Sequence, residues 1–291
     1  MQSKFRDNLY HLVKLLRINQ WVKNIFVLLP LGFLKSSPSV ESLGSLFLAL
    51  FLFIIASSTV YIVNDIHDIE TDKNHAIKCK NRPLASGDIL PRKAMYYLCV
   101  LYGILFYFFL IQFQVMCVIS CYIILNYAYT FKLKSIPIID ALCIALGFVL
   151  RFCVGVIALQ SSVFFWSYGI VFFLSFSIIL MKREREMANN SYLSRKVLSN
   201  YNRKITAKLS LISAWASILC FLFYAFTIHN NYFIFLLLFL FIFWIFWFRH
   251  INQASMDNDC PVNIFSSNII LILLFLIIFF LSIIIKGISI N

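Results

Sequence analysis

The sequence predicts an all-α integral membrane protein, a nine-helix transmembrane bundle forming a single domain over residues 1–291. Three observations predict this. Hydrophobic residues make up 62% of the chain and charged residues 13%, against roughly 25% charged in a soluble domain. Apolar runs of eighteen or more residues recur along the whole length, enough for helices that cross a bilayer. The basic residues alternate from loop to loop. A secreted globular enzyme, a disordered tail and a DNA-binding module are excluded, despite a net charge of +13.

Taken in order, residues 1–20 place Leu9, Leu12, Val13 and Leu16 at i, i+3, i+4 and i+7. Lys14 and Arg17 interrupt any apolar core of a cleavable leader. The stretch reads as an interfacial helix, with an ordinary cytoplasmic lead-in as the alternative. Nine spans follow at about 21–35, 43–63, 94–112, 113–131, 136–158, 162–181, 207–228, 231–249 and 267–285, the first short and the fifth carrying charges.

With the N-terminus inside, 22 of the 25 Lys and Arg residues fall in inside segments; Lys35 and Lys286 lie outside and Arg151 lies within a span. That asymmetry predicts a multi-pass protein of the inner (plasma) membrane with a cytoplasmic N-terminus. The polar loops 64–93 and 182–206 both fall on the cytoplasmic side and are the candidates for active-site loops, while Glu41 is the only outside acid. A basic inner face suits anionic lipids and phosphorylated small molecules rather than nucleic acid. The cysteines form no CxxC pair and most sit in apolar runs, so packing is their expected role.

The densest polar chemistry follows the second span, from Asn64 to Asp72. On a helix, Asp65, Asp68 and Asp72 stand at i, i+3 and i+7 and project from one face, joined by Asn64. Stacked carboxylates repel one another, and oxygen ligands of this charge suit Mg2+ bound together with substrate phosphates. The next loop brings the opposite sign in Lys73, Lys78, Lys80 and Arg82. Acids for a metal beside bases for phosphate are what a diphosphate substrate requires.

Asn64-Asp65-x-x-Asp68-x-x-x-Asp72 resembles the first Asp-rich motif of the UbiA superfamily of membrane-embedded prenyltransferases. Finer features are similar to its decaprenyl-phosphate phosphoribosyltransferase branch. They are Arg17-x-x-Gln20-Trp21-x-Lys23-Asn24 with Pro30-Leu31, then His75-x-x-Lys78-x-x-x-Arg82-Pro83-x-Ala85-Ser86-Gly87, then Tyr129-Thr130-x-x-Leu133-Lys134. Asp140, Gly147-Phe148-x-Leu150-Arg151 and Lys182-Arg183-x-x-Glu186 continue in order, so the resemblance covers about residues 15–190. Ala76 and Cys79 depart from the branch pattern, and the C-terminal third aligns poorly.

The resemblance implies a nine-helix UbiA-type bundle that moves 5-phosphoribosyl from 5-phosphoribosyl-1-diphosphate to a polyprenyl phosphate. It implies Asp65, Asp68 and Asp72 as Mg2+ ligands and, with Asp140, as the catalytic acids. Lys23, Asn24, Asn64, Lys78, Arg82, Tyr129, Lys134, Arg151, Lys182, Arg183 and Glu186 are the substrate-binding set. The product would feed a cell-envelope polysaccharide precursor, and a homo-oligomer is left open.

Asp140, Gly147, Arg151 and Ala158 lie on one helix stripe, with Arg151 about 16 Å along from Asp140. An intramembrane Arg faces a polar cavity or a partner, so Arg151 reads either as a ligand for the lipid phosphate or as a buried structural bridge. Lys182 and Glu186 stand at i+4, to grip a sugar phosphate or to anchor a helix end. Prenyltransferases of this fold carry a DxxxD pair, whereas Asp140 is followed by Ile144, which favours the phosphoribosyl branch. Two rivals stand beside it. One is a prenyl diphosphate:aromatic prenyltransferase; the other is a lipid or solute transporter, for which internal repeats and ionisable groups on both faces are expected.

Overall fold

The computed structural model describes residues 10–34, 38–74, 76–188, 196–227 and 238–249, except 244 and 248. The helices are α1 Val40–His67, α2 Ile69–Lys73, α3 Ala76–Asn81, α4 Pro83–Ser86, α5 Pro91–Ile111, α6 Phe113–Phe131, α7 Ile139–Ala158, α8 Phe165–Ala188 and α9 Arg203–Thr227. Six of them, α1 and α5 to α9, are long and apolar enough to cross a membrane, and they fall on six of the predicted spans. The protein is a multi-pass, all-α membrane protein. The predicted span 267–285 and part of 231–249 lie outside the described residues.

The predicted span 21–35 differs. Its residues form two 3-10 segments, Ile18–Val27 and Leu29–Phe33, and ten residues of that geometry reach only about 20 Å. The cause is polar. Trp21 Nε1 donates to Ser58 Oγ at 3.1 Å and Asn24 Nδ2 donates to Ser57 Oγ at 3.0 Å, tying the segment to the side of α1. Nor are the polar loops irregular. Much of 64–93 is short helix, and residues 182–188 continue α8.

Local chemistry sets the ends. Ser39 caps α1 by accepting from the Ser42 N–H at 3.1 Å. Pro91 opens α5 and Pro83 opens α4, where a missing N–H costs nothing. Gly87 ends α4 with φ 84, in the region that glycine adopts without strain.

The described residues cluster into two compact units. The first comprises residues up to Leu28, Ser39–Lys134 and Leu150–Gln160. Its packing includes Leu15, Ile62, Leu84, Ile89, Ala94 and Leu98, which bring the N-terminal stretch, α1, the α4 turn and α5 together. Phe106, Tyr107, Leu110 and Ile124 on α5 and α6 point outward, as a lipid-facing surface requires. The second unit comprises Leu29–Pro38, Ser135–Val149 and the residues from Ser161 onward. Its core joins α8 to α9 through Ile170, Leu174, Ile218, Phe221 and Tyr224. Cys143 and Cys220 are buried, in keeping with packing, whereas Cys99 and Cys121 are exposed on α5 and α6.

Candidate active site

In the first unit the acidic end of α1 is built by a break in the helix. Helix α1 ends at His67, Asp68 takes φ −96 and ψ 9, and α2 resumes at Ile69. Hydrogen bonds from Asp68 N to Asn64 O at 3.0 Å and from Asp72 N to Asp68 O at 2.9 Å carry the chain across. At about 100° per residue, Asp72 stands roughly 20° round the axis from Asp65, whereas Asp68 stands roughly 60° away. The side chains divide accordingly. The expectation that all three carboxylates share one face therefore holds for Asp65 and Asp72, and Asp68 turns aside.

Asp65 and Asp72 are both buried and converge on a single atom, Nη1 of Arg82, which donates to Asp72 Oδ2 and lies 3.3 Å from Asp65 Oδ1. Arg82 reaches them because it precedes Pro83, which holds it extended at φ −111 and ψ 113. Arg17 closes the other side of Asp65, its Nε donating to Oδ2 at 3.2 Å and its Nη2 to Oδ1. Asp68 accepts from Lys134 Nζ at 2.6 Å and sits 2.8 Å from His67 Nδ1. Burial pushes the Asp68 carboxyl up, but Lys134 and His67 outweigh it and hold the carboxyl below its usual range. Asn64 accepts from Thr130 Oγ1 at 3.4 Å.

Further along this unit, Arg151 is buried and donates through Nε to Asn24 Oδ1 at 3.1 Å and through Nη2 to Tyr122 OH at 3.0 Å. Its guanidinium also lies over the rings of Phe53 and Tyr122. Arg151 is thus held by polar and aromatic side chains, a partner set that the sequence did not identify. Lys23 is exposed and Tyr129 half-buried. Lys78 falls in α3, with its side chain outside the described residues.

The second unit holds its own polar group. Asp140 is fully buried at the start of α7 and accepts from Arg183 Nε at 2.9 Å and from the Tyr201 hydroxyl. Arg183 Nη1 also donates to Glu186 Oε2 at 2.6 Å. Lys182, one residue back on α8, is exposed. Burial, with the hydrogen bond and charge of Asp140, pushes the Tyr201 phenol well above its usual range, so it stays a donor.

Residues 25–270 match the UbiA prenyltransferase family. The chain belongs to that family. Within it, the chain is similar to the decaprenyl-phosphate phosphoribosyltransferase of Mycobacterium tuberculosis, with 30% identity over 223 residues that cover 74% of this chain and 73% of the relative. The enzyme of the same name from Mycolicibacterium smegmatis is 28% identical over 225 residues, covering 74% and 70%. A solved UbiA homologue from Archaeoglobus fulgidus, bound to GPP and Mg2+, shares the fold at TM-score 0.73 with 19% identity, covering 94% of this chain and 99% of the other. A transferase of the UbiA type is therefore the enzyme class.

Among the described residues, no three His, Cys, Asp or Glu side chains come together as a ready metal cage. The donor chemistry nevertheless fits a UbiA metal. Two buried carboxylates already share one cationic atom, and Mg2+ commonly takes one or two carboxylates and completes its shell with phosphate oxygens and water. Sequence reasoning passed over several members of these groups, Tyr122 and Thr130 among them. Arg17 was visible as part of an opening motif, and His67 sat beside Asp68. Tyr201 lies 61 positions from Asp140 and belongs to none of the motifs, so nothing local signalled it.

Proposed function

We propose that this UbiA protein transfers 5-phosphoribosyl from 5-phosphoribosyl-1-diphosphate to a polyprenyl phosphate. The observation that carries the reading is the convergence of Asp65 and Asp72 on one guanidinium atom at the end of α1, with Lys134 on Asp68 beside them. In such a cluster Mg2+ can stand in for the cations at the carboxylates, and the bases so released carry the charge that an anionic diphosphate needs. The names of the relatives support the choice of donor and acceptor.

In this reading Asp65 and Asp72 would hold Mg2+, joined by Asp68 once Lys134 turns to phosphate, and the metal would neutralise charge on the pyrophosphate leaving group. Arg82, Lys134 and Lys78 meet phosphate oxygens, with Asn64 and Tyr129 orienting the donor. Lys182, Arg183 and Glu186 grip the sugar phosphate, with Asp140 holding Arg183. Lys23, Asn24 and Arg151 serve the acceptor phosphate. The anomeric C–O bond breaks and pyrophosphate leaves with the electron pair; an acceptor phosphate oxygen forms the new bond. The acceptor is already anionic, so no general base is required, and charge stabilisation carries the rate. The active site faces the cytoplasm, in the plasma membrane, and the product enters a cell-envelope polysaccharide precursor.

The test is a membrane assay with labelled phosphoribosyl diphosphate, polyprenyl phosphate and Mg2+, the lipid product being identified by mass spectrometry. A ribosylated lipid is expected; folded protein that yields none would overturn the assignment. A prenyltransferase is the second reading, favoured by the GPP bound in the A. fulgidus neighbour. Competition between phosphoribosyl diphosphate and a prenyl diphosphate separates the two, and transport of substrate without chemical conversion would revive the transporter.

A further inference from the structure

The polar group of the second unit carries one more assignment. Asp140 is fully buried, and each of its carboxylate oxygens already accepts a hydrogen bond: Oδ2 from Arg183 and Oδ1 from Tyr201. The Tyr201 oxygen also accepts from the Ile138 N–H at 2.9 Å. Ile138 stands at φ 69, a conformation that costs a β-branched residue energy and persists only where its surroundings impose it. The Ile138 amide is two residues before Asp140, so one phenol fixes both the turn into α7 and the carboxylate at its head. Arg183 is 2% exposed and its other arm holds Glu186. Whatever orients Asp140 therefore orients Arg183 and, through it, Glu186.

We infer that Tyr201 is a positioning residue for the transferase, holding Asp140 so that Arg183 and Glu186 present a fixed polar face to the phosphorylated sugar. The inference rests on the transferase reading for its substrate, and on the Tyr201–Asp140 bond for its mechanism. Tyr201 touches no reacting atom. Its hydroxyl acts through Asp140, and Asp140 acts as an anchor rather than as a metal ligand.

The experiment compares wild type, Tyr201→Phe and Tyr201→Ala in the full chain, assayed at a temperature well below every variant's unfolding midpoint. Loss of the hydroxyl is expected to lower kcat about tenfold or more, the scale set by misplacing a substrate-positioning group. KM for the polyprenyl phosphate should stay unchanged. A purely structural role predicts full activity at that low temperature, and that result would overturn the inference.

A second arm needs no turnover. Thermal unfolding is measured for Tyr201→Phe, Asp140→Ala and the double variant, with Asp140→Asn replacing Asp140→Ala if the latter does not fold. The drop caused by Tyr201→Phe should shrink in the Asp140→Ala or Asp140→Asn background, the remainder being the lost acceptor of the Ile138 N–H. Additive drops would refute the bond whether or not the donor assignment survives. Coupled drops in a protein that forms no ribosylated lipid would instead sink the donor assignment and leave the Tyr201–Asp140 bond standing.

Discussion

Replacing Arg82 by Met is the sharpest single perturbation of the acidic end. Arg82 contacts both Asp65 and Asp72, whose side chains are 2% and 3% exposed. Removing one partner of a buried pair costs about 3–5 kcal/mol, because a charge is left uncompensated. Two features reduce this: Arg82 itself is 19% exposed, and Arg17 still covers Asp65. A loss of about 2–3 kcal/mol follows, which at about 2–4 °C per kcal/mol for larger chains lowers the unfolding midpoint by roughly 4–12 °C. The assay is thermal unfolding of detergent-solubilised protein in EDTA and again in Mg2+. The metal should raise the midpoint of Arg82→Met more than that of wild type, since it can take the place of the missing guanidinium. Arg82→Lys should recover only part of the loss, because its ammonium keeps the charge but is a strongly hydrated point charge on a flexible stem, costlier to hold between buried carboxylates. An Arg82→Met midpoint within about 1 °C of wild type in EDTA would refute the reasoning.

Three further outcomes are expected. Asp68→Asn should abolish turnover, by about a hundredfold or more if it removes charge from the metal–diphosphate site, and full activity in the lipid-product assay would remove Asp68 from that role. Because the folded-state pKa of Asp68 is depressed, its contribution to stability is complete above the unfolded carboxylate value near pH ~3.9 and is lost as pH falls through the lower folded value. Lys134→Met should therefore lower the midpoint at neutral pH and flatten its decline in acid, both read by unfolding at a series of pH values. A methyl at Gly169 would meet Cys220 Sγ at 2.7 Å, so Gly169→Ala should destabilise the α8–α9 contact by about 1–3 kcal/mol. Cys220→Ala in the same chain should restore most of the midpoint, since the remaining Cβ would be at ordinary contact distance, 3.5 Å.

Six spans were legible because a bilayer demands long apolar helices whatever their neighbours. The stretch 21–35 misled for the opposite reason: its apolar count is high, but Trp21 and Asn24 spend their donors on Ser58 and Ser57, a tertiary bargain invisible in composition. The i+7 spacing of Asp65 and Asp72 foretold their meeting, because seven residues bring a helix almost full circle. Asp68 sits at the break between α1 and α2 and pairs with Lys134 instead. Arg17 and Tyr201 reach their aspartates across 48 and 61 positions, and no periodicity registers a contact made by chain folding rather than by helix geometry. Arg151 was recognised as needing company inside the membrane, and Asn24 and Tyr122 are among the partners it finds there.

Helix α1 has 28 residues, about 42 Å at 1.5 Å per residue, while the hydrocarbon core is about 30 Å thick. The surplus of roughly two turns must be absorbed by leaning over or by standing proud of the oily layer. Since Asp65 lies two residues from the end of this rod, the height of the acid group above the acyl chains becomes a function of bilayer thickness. Reconstitution into lipids of graded chain length would then act as a ruler, with turnover varying as the rod is drawn in or let out.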